Sequence, residues 1–119
     1  MNRILSASVT AVALFLTCLH NQVRGQPAPR RIDVHAKRFG FQPNQITIKK
    51  GEPVVLVLTA EDVSHGLRFR ELNINLKAEK GQSGEAQFTP DSAGDFIGHC
   101  STFCGSGHGG MTLALHVVD

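Results

Sequence analysis

From Ile32 onward, apolar and polar positions alternate in short runs. Ile32, Val34 and Ala36 alternate with Asp33, His35 and Lys37, and Ile46 and Ile48 alternate with Thr47 and Lys49. His65, Leu67 and Phe69 alternate in the same way with Gly66, Arg68 and Arg70. A repeat of two sends successive side chains to opposite faces of a strand, so each run predicts a strand with one face in a core. Residues 54–58 form a continuous apolar run behind the Lys50-Gly-Glu-Pro53 turn, the pattern of a buried central strand. Further short strands are expected around residues 74–77, 82–89, 95–99 and 111–118, divided by Gly, Pro and Asp. No stretch carries a convincing 3.6-residue period. Seven or eight short strands at this spacing predict an all-β, Greek-key β-sandwich.

Residues 1–25 stand apart from this pattern. Arg3 precedes an apolar stretch, residues 4–19, and a polar run, His20-Asn-Gln-Val-Arg-Gly-Gln26, follows. This is the layout of a secretory signal peptide, with cleavage expected after Gly25 because Val23 and Gly25 are small enough for the −3 and −1 positions. The apolar stretch falls short of the roughly 20 residues that span a bilayer; an uncleaved N-terminal anchor is the alternative. Cys18 lies inside it, behind Phe15-Leu16-Thr17, and reads as part of the signal rather than a lipid attachment site. Residues 26–30 then form an extended leader, and residues 31–119 a single domain in the periplasm or another extracytoplasmic compartment.

Removing the signal changes the charge picture. The whole chain carries 12 Lys+Arg against 10 Asp+Glu. Arg3 and Arg24 leave with the signal and no acid does, so the mature chain from residue 26 holds 10 charges of each sign. A neutral domain gives no footing for a nucleic-acid partner, which asks for clustered positive charge. A mature chain of about 94 residues buries roughly 60–65% of its unfolded surface, a modest core that a bound metal would reinforce. No nucleophile–base pair, no acids at acid–base spacing and no phosphate loop are visible, so the chain does not read as an enzyme by itself.

The candidate chemistry is concentrated in Cys100-Ser-Thr-Phe-Cys104-Gly-Ser-Gly-His108-Gly-Gly-Met111. Thiolate and thioether are soft ligands and imidazole is intermediate, a donor set suited to copper cycling between Cu(I) and Cu(II). The glycines at 105, 107, 109 and 110 are expected to let the backbone gather the loop ligands onto one cluster. Each residue alone has an ordinary reading. In an oxidising compartment the two thiols suggest a disulfide, although so small a ring constrains the unfolded chain little. It remains the expected fate of the metal-free protein. A Met beside a strand is ordinarily core filling, and a His at a strand start is ordinarily structural. Their joint occurrence favours a metal. By parity, Met111 shares a face with Leu113, Leu115 and Val117, and His65 with Leu67 and Phe69, which sets both at the rim of the core. His35 and His116 fall on outward parity, and His99 merely abuts Cys100.

Asp62-Val63-Ser64-His65-Gly66-Leu67, then Glu71-Leu72, then the Cys100 to Met111 loop, resemble the binuclear copper (CuA) domain of cytochrome c oxidase subunit II and of nitrous oxide reductase. Phe39-Gly-Phe41-Gln-Pro43-Asn44 and Ile46-Thr-Ile-Lys-Lys50-Gly51-Glu-Pro53 also resemble cupredoxin sequences, so the resemblance covers about residues 31–118. Mononuclear blue-copper loops are similar but carry one Cys. The resemblance implies a cupredoxin-like sandwich and a centre of two copper ions bridged by Cys100 and Cys104. His65 and Met111 would complete one copper, and His108 and the backbone carbonyl of Thr102 the other. Asp62 is a candidate to orient His65, beside its ordinary reading as a solvated turn acid.

Three features depart from the family pattern. Thr102 stands where the oxidase subunit usually has a Glu that helps hold magnesium against the catalytic subunit. The chain has no Trp and no Tyr, whereas the oxidase takes electrons from cytochrome c through a Trp-containing segment; only Phe39 and Phe41 stand in that region. The paired transmembrane helices of subunit II have no counterpart. The expected function is an exported carrier of single electrons, from a c-type cytochrome or other small redox protein to a terminal oxidase or reductase, rather than a standard oxidase subunit. The mature chain is expected to have no membrane span, with residues 4–19 as an anchor if the signal is retained. The alternative is a periplasmic copper chaperone delivering Cu(I) for oxidase assembly. A thioredoxin-like factor of that kind needs a βαβ pattern that this chain lacks.

Overall fold

A computed structural model describes residues 28–119; the signal expected at residues 1–25 lies outside them. The alternating runs become strands β1 (Arg30–Lys37), β3 (Gln45–Lys49), β5 (His65–Phe69), β6 (Ile74–Ala78) and β9 (Thr112–Val118). The apolar run becomes β4 (Val54–Ala60), and β2 (Gly40–Gln42), β7 (Ser83–Phe88) and β8 (Gly94–His99) complete the set. They form two sheets, ordered β2-β1-β4-β7 and β3-β9-β8-β5-β6. β1 runs parallel to β4 and β3 parallel to β9, and the remaining pairs are antiparallel. The fold is the expected all-β sandwich, with nine strands among the described residues against the seven or eight expected. β2 is three residues long, too short to show alternation, and is defined by its pairing with β1 at Ala36 and Phe41.

The core lies between the sheets and follows the alternation. β1 buries Ile32, Val34 and Ala36, β3 buries Ile46 and Ile48, and β9 buries Leu113, Leu115 and Val117. β4 is flanked by β1 and β7 and buries residues of both parities, Leu56, Val57 and Leu58 among them, as a continuous apolar run should. Each Val, Leu or Ile side chain among these contributes about 1.5–3 kcal/mol by leaving water.

One end of the sandwich positions the chemistry. β8 pairs with β5 at Arg68 and His99. Past that pair the chain leaves the ladder, runs over the start of β5 as the segment from Cys100 to Met111, and returns as β9. The Cys100 amide donates to the Met111 carbonyl at 3.2 Å and closes the neck of this loop. Just below the neck, Gly98 is buried against Phe69 and Leu67.

Candidate metal centre

His65 is the first residue of β5 and is fully buried, on the same face as Leu67 and Phe69. Met111 immediately precedes β9 and is also fully buried, continuing the face of Leu113 and Leu115. Between them the loop turns inward, and Cys100 and Cys104 are 5% and 4% exposed. His108 opens a 3₁₀ turn, His108–Gly110, and is partly buried. Its amide donates to Gly105 and its carbonyl accepts from Met111, at 3.1 and 3.2 Å.

Both cysteines are free thiols, with their sulfurs 3.8 Å apart. Cys100 Sγ lies 3.9 Å from His65 Nδ1. Cys104 Sγ lies 3.6 Å from His108 Nδ1 and 3.8 Å from Met111 Sδ. The Cys100 thiol donates to the Thr102 carbonyl at 3.1 Å, so that oxygen faces the sulfurs. The donor atoms of His65, Cys100 and Cys104 all fall within 4.8 Å of one another. His108 approaches this group from the Cys104 side.

The donor set fits copper in chemistry and in spacing. Thiolate and imidazole donors at ordinary bond lengths, about 2.3 and about 2.0 Å, lie roughly 3.5–3.8 Å apart around one tetrahedral metal. The sulfur–sulfur and sulfur–nitrogen separations already stand near that value. Burial in the apolar rim pushes the Cys104 thiol up to about 11, reinforced by Cys100 beside it and opposed by Arg38. The Cys104 thiol is therefore protonated at neutral pH in the metal-free chain, and a metal would displace its proton on binding.

A second set of contacts holds the donors in place. His65 Nε2 donates to Asp62 Oδ1 at 2.7 Å, which leaves the Nδ1 lone pair facing the sulfurs. Asp62 also accepts from the Val63 amide at 2.8 Å and, through Oδ2, from the Arg38 amide at 2.9 Å. Partial burial works against the Asp62 charge, but the Arg38 amide, the His65 ring and the Val63 amide outweigh it. They hold the carboxyl well below the usual range. Asp62 thus has the orienting contact that made it a candidate.

Arg38 and Phe39 were not singled out as supports of the loop. Arg38 Nε donates to the Cys104 carbonyl at 2.7 Å, from 66 residues away, and no local pattern announces such a contact. Phe39 packs over the loop, where a Cβ at Gly107 would come within 2.6 Å of its ring and one at Gly105 within 2.9 Å. Gly105 also has φ +139, a left-handed conformation that glycine tolerates. Gly109 and Gly110 meet nothing within 4 Å, so the need for glycine falls on the half of the loop under Phe39. Phe103, between the cysteines, is 79% exposed with its ring 5.7 Å from that of His108. Of the remaining histidines among the described residues, His35 pairs with Glu61 and His116 with Asp95, and His99, next to Cys100 in sequence, is exposed.

Residues 8–113 match the Cupredoxin-like domain family. Over 96 residues the chain is 33% identical to cytochrome c oxidase subunit 2 of Thermus thermophilus, covering 79% of this chain and 71% of that one. It is 29% identical over 75 residues to subunit 2 of Myxine glutinosa, covering 63% of this chain and 33% of that longer relative. In fold it resembles the periplasmic domain of subunit II of cytochrome oxidase (CoxB) of Bradyrhizobium japonicum, with a TM-score of 0.71 at 22% identity. That likeness covers 79% of this chain and 87% of that one. The chain belongs to the cupredoxin family and is homologous to the CuA domains of cytochrome c oxidase subunit II. Among the described residues, no helix is long and apolar enough to cross a membrane.

Proposed function

We propose that this protein is an extracytoplasmic carrier of single electrons with a binuclear copper centre. In this reading Cys100 and Cys104 bridge two copper ions, His65 and Met111 complete one, and His108 and the Thr102 carbonyl complete the other. The observation that carries it is the pair of free, buried sulfurs 3.8 Å apart, each with an imidazole Nδ1 within 3.9 Å. A mononuclear site needs one such thiol, and a structural disulfide needs neither imidazole.

Two bridging thiolates would let one electron spread over two metals, so that neither ion changes geometry much on reduction. The chain's own part is to keep the donors still. β5 fixes His65 from the sheet side, Asp62 holds its ring, and Arg38 and Phe39 press on the loop from the turn between β1 and β2. Donors held this way limit the rearrangement that accompanies electron transfer. The donor we assign is a c-type cytochrome or similar small redox protein, and the acceptor a terminal oxidase or reductase. Thr102 carries no carboxylate with which to hold magnesium at a catalytic subunit, which favours a carrier over a standard oxidase subunit. A signal at residues 1–25 ahead of a domain at 31–119 belongs to the same proposal.

Copper titration of the reduced chain tests this. Two coppers per chain and reversible one-electron oxidation are expected. A single Cu(I), readily surrendered to a chelator, would replace this reading with copper delivery. No copper uptake after full reduction would leave the two cysteines as a disulfide pair.

A further inference from the structure

The outer face of the β3-β9-β8-β5-β6 sheet carries charge that the metal centre does not use. Arg68, Arg70, His99 and Ser101 line a concavity whose wall is Cys100. By register, Arg68 lies between His99 of β8 and Asn75 of β6, and Lys77 of β6 lies opposite Gly66, nearer the loop. Arg68, Arg70 and Lys77 are exposed. Arg30 and Arg31 each pair with a carboxylate, but Arg68, Arg70 and Lys77 have no ion pair among the described residues. No carboxylate lines the concavity; Glu71, the nearest acid in sequence, is not part of it.

Residues 26–119 hold 10 charges of each sign, so this surplus is a matter of placement, not of general basicity. Like charges around a concave, low-dielectric wall focus their field outward and raise the local concentration of the opposite charge. Arginine's planar fork matches a carboxylate in two parallel hydrogen bonds, so these two side chains suit an acidic protein rim. The presence of Cys100 in this lining distinguishes the patch from an incidental one, although its sulfur turns inward toward His65 and Cys104. Cys100 is a proposed bridging ligand and also a wall of the concavity, so a partner seated there lies against the centre.

We propose that the Arg68–Arg70–Lys77 face is the docking surface for an acidic redox protein, whose carboxylates seat on these cations and whose redox group faces Cys100. The proposal rests on the electron-carrier reading and adds the partner's chemistry: a small redox protein with a carboxylate-rich rim around its electron-exchanging edge. The same field repels a basic cytochrome, which gives selection as well as attraction.

The test titrates the reduced, nitrogen-15-labelled chain with three probes: a net-acidic c-type cytochrome, a net-basic one, and phosphatidylglycerol vesicles. Amide signals at residues 68–70, 77 and 99–101 should move with the acidic cytochrome, and its affinity should fall about tenfold from low to physiological salt. The double variant Arg68→Glu, Arg70→Glu should weaken acidic binding by about tenfold or more and improve that of the basic cytochrome. Both side chains are exposed, and unchanged amide signals elsewhere verify the fold. Equal binding of the two cytochromes, or shifts confined to Phe103 and His108, would overturn the proposal. Vesicles that perturb this face when the acidic cytochrome does not would overturn it in favour of a membrane. Amide shifts report docking whether or not electrons pass, so a chain that docks yet gives no binuclear copper signal defeats the carrier reading and leaves the surface standing.

Discussion

Gly98→Ala adds one methyl group where β8 crosses the core below the metal loop. The new Cβ would lie 2.7 Å from Phe69 Cζ and 2.8 Å from Leu67 Cδ1. Carbon atoms pack best at about 3.5–4.0 Å, so the ring has to withdraw by about 1 Å. It has little room, because Phe69 is 1% exposed and Leu67 is fully buried, and such interiors have few voids. Overpacking of this kind costs about 1–3 kcal/mol. In a domain of this size each kcal/mol moves Tm by about 4–8 °C, so Tm should fall by about 4–24 °C. Thermal unfolding of the reduced, metal-free chain by circular dichroism measures it. Phe69→Leu supplies the control, since alone it leaves a void and costs about 1–2 kcal/mol. Combined with Gly98→Ala it should recover stability, with a coupling of about 1–2 kcal/mol. A Gly98→Ala variant within about 0.5 kcal/mol of the parent, or strictly additive losses, would mean that β5 and β8 do not share this core layer.

The other predictions concern the centre. Cys104→Ser should leave fewer than two coppers per chain and abolish any signal shared between metals; an unaltered spectrum would contradict the bridging role. Met111→Leu keeps a similar volume and should change stability by less than about 1.5 kcal/mol. It should retain both coppers and shift the reduction potential, each ~59 mV being tenfold in a one-electron equilibrium, and loss of one copper in spectroelectrochemistry would count against a weak completing ligand. Asp62→Ala removes the acceptor for the His65 ring and for the Arg38 and Val63 amides. Copper affinity should fall about 10–100-fold in competition with a Cu(I) chelator, and an unchanged affinity would make the Asp62–His65 bond incidental.

The parts of the fold legible in sequence are those governed by local alternation. Parity along 65–69 and 111–117 sets His65 and Met111 on the core side, because a half-buried strand has only two faces and the apolar residues name one of them. The Cys-x3-Cys-x3-His-x2-Met spacing shows which donors share a loop, since that information is itself local. What is not legible depends on long-range packing. β2 has too few residues for a period. The hold of Arg38 on the Cys104 carbonyl spans 66 residues and leaves no sequence trace. The four loop glycines look equivalent in sequence, but only Gly105 and Gly107 lie under Phe39. The cationic face escapes for the same reason. Arg68 and Arg70 read as ordinary outward residues of one strand until the sheet sets them beside His99 and Cys100.

The most direct test of the central claim is electron paramagnetic resonance of the copper-loaded chain after removal of one electron from the fully reduced state. One unpaired electron coupled equally to two copper nuclei is the expected result, and it should vanish in Cys104→Ser. A hyperfine pattern from a single copper nucleus, at full copper loading, would contradict the binuclear centre.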